Sequence, residues 1–248
     1  MIVKPSHGAR ILNPLSKGPL TKGGFSPQAE YIFRKQIEEA DFVIVNRIDE
    51  LSAGEVEELV RLLGEHFPGR PVVRMSATTG EGFDGLCEFL DQRGGFGRRL
   101  MDVDYDIYAE GEAELGWLNS QLTLSAKSPF DLDQFMLALL QRMQGELALI
   151  AAETAHLKII GLWEGYYGVA NLVSSFSGPV LSLPSSCQTR QAQVVVNARV
   201  ATAPENLTRV VRDCIESEAA NIDAVATINT LQSFRPGRPV PTHRISAS

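Results

Sequence analysis

Two short stretches carry residue types that could recognise a base. Asn46-Arg47-Ile48-Asp49 follows the apolar run Phe42-Val43-Ile44-Val45, and Ser76-Ala77 follows Val72-Val73-Arg74-Met75. Both read as turns at the ends of buried strands, with an amphipathic helix between them. A carboxylate is acceptor-only and takes two parallel N–H donors at once. Guanine offers that pair in its N1–H and exocyclic amine, and Asp49 is the carboxylate assigned to it. Adenine has a lone pair at N1 and would leave Asp49 unpaired. A site built around such a bond rejects the analogue by about 10⁴ or more. Asn46 is assigned to tying the loop together or reaching the base edge, and the stem of Arg47 to lying along one purine face. Ser76 opens the second loop. The backbone N–H of Ala77 is assigned to the guanine carbonyl oxygen, a small side chain letting the main chain approach. The plainer alternative is a polar turn in which Asp49 caps the next helix.

These turns need a scaffold that brings them together. Residues 1–92 read as α/β, beginning with a short strand at Ile2–Val3 and a Gly/Pro-rich loop through Gly24. A helix follows over 27–40. Leu51-Ser52-Ala53-Gly54 leads into another, with Val56, Leu59, Val60, Leu63 and Phe67 on one face. Gly69-Arg70-Pro71 ends it. Continuous apolar strands alternating with helices imply a parallel sheet covered on both faces. Loops in such sheets gather at the carboxyl ends of the strands. With about three strands expected, one sheet edge is left unpaired.

The run Phe25-Ser26-Pro27, then Tyr31-Ile32-Phe33-Arg34-Lys35-Gln36-Ile37-Glu38-Glu39-Ala40-Asp41 and Asn46-Arg47-Ile48-Asp49, resembles the CobW-like GTPases, relatives of the urease and hydrogenase nickel-insertion GTPases. In that family a Gln-containing helix ending in Ala-Asp leads into the strand carrying Asn-Lys-x-Asp. Met1-Ile2-Val3-Lys4-Pro5 is similar to the strand before that helix, and Ser76-Ala77-Thr78-Thr79-Gly80-Glu81-Gly82 to the last guanine-binding loop. Arg47 stands where Lys is usual. The close resemblance covers residues 1–92. The fold it implies is α/β, a partial parallel-sheet P-loop-type GTPase domain, followed by a smaller α+β domain.

No Gly-x-x-x-x-Gly-Lys-[Ser/Thr] occurs, and neither Gly23-Gly24 nor Gly94-Gly95 is followed by Lys-Ser/Thr. Without that loop there is no backbone cradle for phosphates and no hydroxyl for Mg²⁺. The chain is therefore expected to be the C-terminal part of a longer GTPase, with the phosphate loop in a missing N-terminal half and no hydrolysis by this part alone. For the intact parent, the resemblance implies GTP and Mg²⁺ as cofactors and hydrolysis coupled to delivering a transition metal or metallocofactor to a client metalloprotein. The alternative is a catalytically inactive pseudo-GTPase serving as a protein-interaction module. A third reading is an unrelated metabolic enzyme whose pocket lies away from Asn46 and Ala77.

Bulk properties fit a soluble, cytoplasmic protein. A formal net charge of −7 argues against a nucleic-acid partner, and no apolar run is long enough to span a bilayer. Cys87, Cys187 and Cys214 read as free thiols. Residues 93–111 read as a linker. Asp102, Asp104, Asp106, Glu110, Glu112 and Glu114, in and just after it, could supply oxygen ligands to a cation; alternatively Asp102, Asp104 and Asp106, alternating with Val103, Tyr105 and Ile107, form the wet face of a strand.

Residues 112–233 read as the α+β domain, with a strand at 115–124 and a helix opened by Ser128 and Pro129. Strands at 156–163 and 168–174 flank a turn at Glu164-Gly165-Tyr166-Tyr167. A strand at 191–200 and a helix from Pro204 complete a β-α-β-β-β-α order close to ferredoxin-like. Residues 234–248 read as a tail. Trp117, Trp163, Tyr166 and Tyr167 read as sheet-packing aromatics. No catalytic triad, zinc spacing or catalytic residue is assigned; His66 and His156 read as structural, and Cys187 sits in a loop as a candidate reactive thiol.

Overall fold

Strand β2 (Val43–Val45) is apolar at every position because both its faces are covered. The structure, a computed structural model, describes residues 1–13, 26–92, 94, 96–97, 103–175 and 177–238. The loop expected from Val3 through Gly24 is instead helical over Pro5–Leu12, Pro5 standing in the first turn where no N–H is missed; its remainder at 14–24, Asp102 and the tail beyond 238 lie outside the described residues. Two compact units are present, one spanning Met1–Gly111 and the other Glu112–Gly237.

In the first unit, β1 (Ile2–Val3), β2 and β3 (Val72–Arg74) form a parallel three-stranded sheet in that order. Val3 pairs with Val45, and Ile44 with Val73. Side chains alternate faces along a strand. Val43 and Val45 thus pack with Ile37 of α2 (Pro27–Glu39) and Leu59 and Leu63 of α3 (Ala53–His66). Ile44 faces the other way, with Val73, Met75 and partners from α4 (Phe83–Asp91). Phe42 stacks on Phe89 of α4 with ring centroids 5.0 Å apart. Helix α1 (Pro5–Leu12) approaches α3 closely at Gly8, where a Cβ would stand 2.9 Å from both Leu59 and Val3 side chains. Ser26 caps α2 by accepting from Ala29 N–H, with Pro27 in the first turn, where no N–H is missed.

The acidic stretch is not a strand. It folds as helix α5 (Tyr105–Ala113), because the Asp104 carboxylate accepts the N–H groups of Asp106 and Ile107 at its start. Gly111 fits against Ile32 and Gln28 of α2, where a Cβ would collide.

The second unit is an antiparallel sheet with strands β4 (Gly116–Asp131), β5 (Glu153–Trp163), β6 (Tyr166–Leu172), β7 (Val180–Leu183), β8 (Gln188–Ala201) and β9 (Ala224–Phe234). The spatial order is β7-β6-β5-β8-β4-β9. Helix α6 (Leu132–Leu149) connects β4 to β5, and α7 (Pro204–Asn221) connects β8 to β9. Removing the β6–β7 insertion leaves β-α-β-β-α-β, the ferredoxin-like order. Phe135, Leu139, Met143, Val211 and Ile215 of the two helices pack with Leu118, Leu122, Val194 and Val196 in one core.

Three expectations need correction here. Ser128 and Pro129 do not start α6. They sit in an irregular stretch of β4, whose pairing with β8 resumes at Phe130, and Asp131 caps α6 by accepting from Gln134 N–H at 2.9 Å. The turn before β6 shrinks to Glu164-Gly165, both at positive φ, as a two-residue hairpin requires. Strands β7 and β9 were not anticipated.

Candidate functional site

Because β1, β2 and β3 run parallel, the residues after them emerge at one end of the sheet: Lys4, Asn46 and Ser76. Backbone bonds set their spacing. Asn46 N–H donates to Val3 O, Met75 N–H to Val45 O and Ile48 N–H to Met75 O. The two predicted loops therefore abut.

Asn46 links them through one atom. Its Oδ1 accepts Arg47 N–H at 2.8 Å and Ala77 N–H at 3.0 Å, across thirty-one positions of chain. The Ala77 amide assigned to a base carbonyl is thus engaged by Asn46. Arg47 sits in the left-handed region at φ 69°, and its Nε donates to Glu50 at 2.7 Å. Its stem is held toward Glu50. Lys4 lies in the same neighbourhood: burial first, then the positive charge of Arg47, lowers its pKa, with Glu50 opposing.

Asp49 lies in a 3-10 turn, Ile48–Glu50, and is exposed. It does not cap α3. Ser52 does, in a reciprocal pair: Ser52 Oγ accepts Glu55 N–H, and the Glu55 carboxylate accepts Ser52 N–H at 2.9 Å. The plainer account of Asp49 as helix cap is thereby removed.

Ser76 is fully buried and shapes its loop from within. Its Oγ accepts the N–H groups of Thr78 and Thr79 at 3.2 and 3.1 Å, and its own N–H donates to Glu81 O. This turns the chain so that Ala77 is presented at the surface. Sequence reasoning places Gly82 in this loop but assigns it no role. It holds φ +72°, and a Cβ there would lie 1.9 Å from Arg74 O, so only glycine closes the loop against β3. Its place in the Gly80-Glu81-Gly82 run was the available signal.

The residues present put an exposed, acceptor-only carboxylate, Asp49, on the turn that Asn46 ties to Ala77. They do not suit nucleotide phosphates or Mg²⁺, since no Gly-rich loop with Lys and Ser/Thr accompanies them. Among the described residues, no group of three or more His, Cys, Asp or Glu is gathered to hold a metal ion. No helix among them is long and apolar enough to cross a membrane.

The other candidates resolve as structural. His66 Nε2 donates to Leu12 O at 3.0 Å. Cys187 is buried, and burial followed by the charge of Asp133 raises its pKa, the opposite of a reactive thiol. Hollows of about 250 Å³ at the β5–β6 hairpin and about 380 Å³ beside Arg142 and Glu218 are lined by neither Asn46 nor Ala77. Neither joins a nucleophile to a base.

No protein-family model matches the sequence. Among solved structures, the chain is similar to the Zn(II)-bound YjiA GTPase from E. coli, at TM-score 0.27 and 13% identity over 87% of this chain and 59% of that one. It is also similar to a Zn(II)-bound triple mutant of the YjiA GTPase, at TM-score 0.24 and 15% identity over the same shares. The chain thus spans 59% of the length of these structures. Superposition at this level transfers neither fold nor activity, so the site rests on its own geometry.

Proposed function

We propose that the loops after β2 and β3 form a guanine-recognition site, and that the chain is the guanine-binding and C-terminal part of a CobW-like GTPase. One observation carries the reading. Asn46 Oδ1 holds the Asp49-bearing turn and the Ala77 turn side by side at the carboxyl ends of parallel strands. In this arrangement the Asp49 carboxylate takes the paired donors of guanine. Its carbonyl oxygen shares the Ala77 N–H with Asn46 in a three-centre bond. Ser76 and Asn46 keep the two turns in place, and the stem of Arg47, released from Glu50, covers the ring. Hydrolysis and metal delivery to a client protein belong to this reading only with a phosphate loop and metal ligands supplied from outside these residues. Guanine binding without turnover is common to the GTPase part and to the pseudo-GTPase alternative.

The test uses nucleoside monophosphates, which ask little of the absent phosphate loop. In amide-resolved NMR titrations, GMP shifts the Asp49 and Ala77 signals and AMP does not. Xanthine carries an acceptor where guanine has its amine, so Asp49→Asn weakens the GMP response and creates one to XMP. Equal responses to GMP and AMP, or an Asp49→Asn protein that still prefers GMP, would end the proposal.

A further inference from the structure

Helices α6 and α7 pack on one face of the second unit's sheet; among that unit's described residues, no helix packs on the other. Its side chains line up in register across the strands. Phe234, Trp117, Arg199 and His156 form one row over β9, β4, β8 and β5. Gln232, Asn119, Asn197, Lys158 and Asn171 form the next, reaching β6. Gln193, Leu162 and Tyr167 lie toward the far end. At about 3.3 Å per residue, the rows of Trp117 and Thr123 are roughly 20 Å apart.

Three properties coincide on this platform. It has no carboxylate in these rows, although the chain carries a net charge of −7. The six strands carry the cations Lys127, Lys158, Arg190 and Arg199 against two carboxylates, Asp131, the cap of α6, and Glu153, the first residue of β5; Glu164, in the β5–β6 turn, stands beside Tyr167 at the far end. Neither Lys158 nor Arg199 has a carboxylate partner among the described residues. Second, planar groups are displayed. The Arg199 guanidinium lies 3.9 Å from the Trp117 ring centroid, Trp117 and Phe234 centroids are 6.1 Å apart, and Phe234 and Tyr167 are exposed. The indole N–H of Trp117 has no acceptor among the described residues. Third, amide side chains with both donors and acceptors fill the centre, with Asn197 donating to Asn119 at 2.6 Å. The positive local field also shows at His156, whose pKa is lowered by burial and then by Lys158 and Arg199.

We infer that this open sheet face binds single-stranded nucleic acid, Lys158 and Arg199 meeting phosphates while bases stack on Phe234 and Tyr167 and meet the amide row. A flat cationic surface with exposed rings is the arrangement that takes an unpaired strand. An acidic polypeptide would use the charges without needing the rings. The inference rests on the second unit alone and is independent of guanine binding.

The experiment is fluorescence anisotropy of the full chain with a short fluorescein-labelled oligothymidylate, and separately with a labelled polyglutamate peptide. Two phosphate contacts on a single strand give a slope of about −1.4 in log affinity against log salt. The Lys158→Ala, Arg199→Ala double variant flattens that slope. Phe234→Ala, at an exposed strand end, weakens oligonucleotide binding about fivefold or more, the loss of one stacked base. Circular dichroism and thermal melts confirm that each variant is folded. Oligonucleotide binding that responds to both changes supports the inference. No binding at low salt overturns it, as does polyglutamate binding of equal strength that is indifferent to Phe234→Ala.

Discussion

Replacing Asn46 by alanine probes the link between the two loops without any ligand. The change removes one acceptor that serves two backbone donors, Arg47 N–H and Ala77 N–H. Each such bond contributes about 1 kcal/mol net. Ala77 is exposed, so water replaces part of what is lost there. The expected destabilisation of the first unit is therefore about 1–2 kcal/mol, near 5–10 °C in its melting transition. Asn46→Asp keeps the acceptor oxygen in place and should cost less than about 0.5 kcal/mol, since a carboxylate accepts both bonds at least as well. Hydrogen exchange localises the effect. The Ala77 amide should exchange about 5- to 30-fold faster in Asn46→Ala, the same free energy expressed as an opening equilibrium. Amides of the second unit, such as Val196, should be unchanged. An Ala77 amide already unprotected in the parent protein, or equal melting of Asn46→Ala and the parent, would refute the bridging role.

Gly82→Ala should destabilise the first unit by about 3 kcal/mol or more, since the new methyl would meet Arg74 O at 1.9 Å in a left-handed backbone; urea denaturation measures it. Asp133 accepts from Ser185 N–H, Ser185 Oγ–H and Ser186 N–H, so Asp133→Ala strands three donors and should cost about 3 kcal/mol. Burial opposes ionisation of Asp133, but these bonds outweigh it and hold its pKa below the ordinary value. Its contribution is present above about pH 4 and fades as pH falls through the depressed value. The stability gap between the parent and Asp133→Asn should therefore close on acidification, as urea melts from pH 6 down to about pH 2 would show. Burial and then Glu146 push the Cys214 thiol up to about 12. Iodoacetamide at about pH 8 should label the partly exposed Cys87 well before Cys214, read by peptide mass spectrometry; equal labelling would contradict the packing around α7.

Much of the scaffold was legible because its signals are local. Val43–Val45 announces itself as a strand by unbroken apolar character and Val72-Val73 by its β-branched pair, Pro27 opens α2 where expected, and Glu164-Gly165 marks the hairpin, as two residues rather than the four expected. Misreadings arose where a non-local partner or a competing local bond prevailed. Asp104 captured two amides and made a helix of a stretch that alternates like a strand. Pairing with β8 carried β4 past Ser128-Pro129, a local helix signal. Strand β9 alternates Ala224, Ala226 and Ile228 inward against Val225, Thr227 and Asn229 outward, yet a weak period of two near a chain end becomes a strand only when β4 is there to pair with it.

Residue order alone determined which side chains stand at the ends of the first unit's strands, because strand length and turn position are written in apolar runs and punctuating residues. It also determined that no phosphate-binding loop lies within these 248 residues. Only the tertiary structure decided that Asn46 Oδ1 would serve Ala77 as well as Arg47, since that bond depends on the parallel registry of β2 with β3. It likewise decided where charge resides. A net charge of −7 describes the whole chain, whereas sheet registry gathers Arg199 and Lys158 on one face, with Asp131 and Glu153 the only acidic residues in the strands of that sheet. Fields fade within about 10 Å in physiological salt. A partner therefore meets the local arrangement, which pairing across strands creates and composition cannot express.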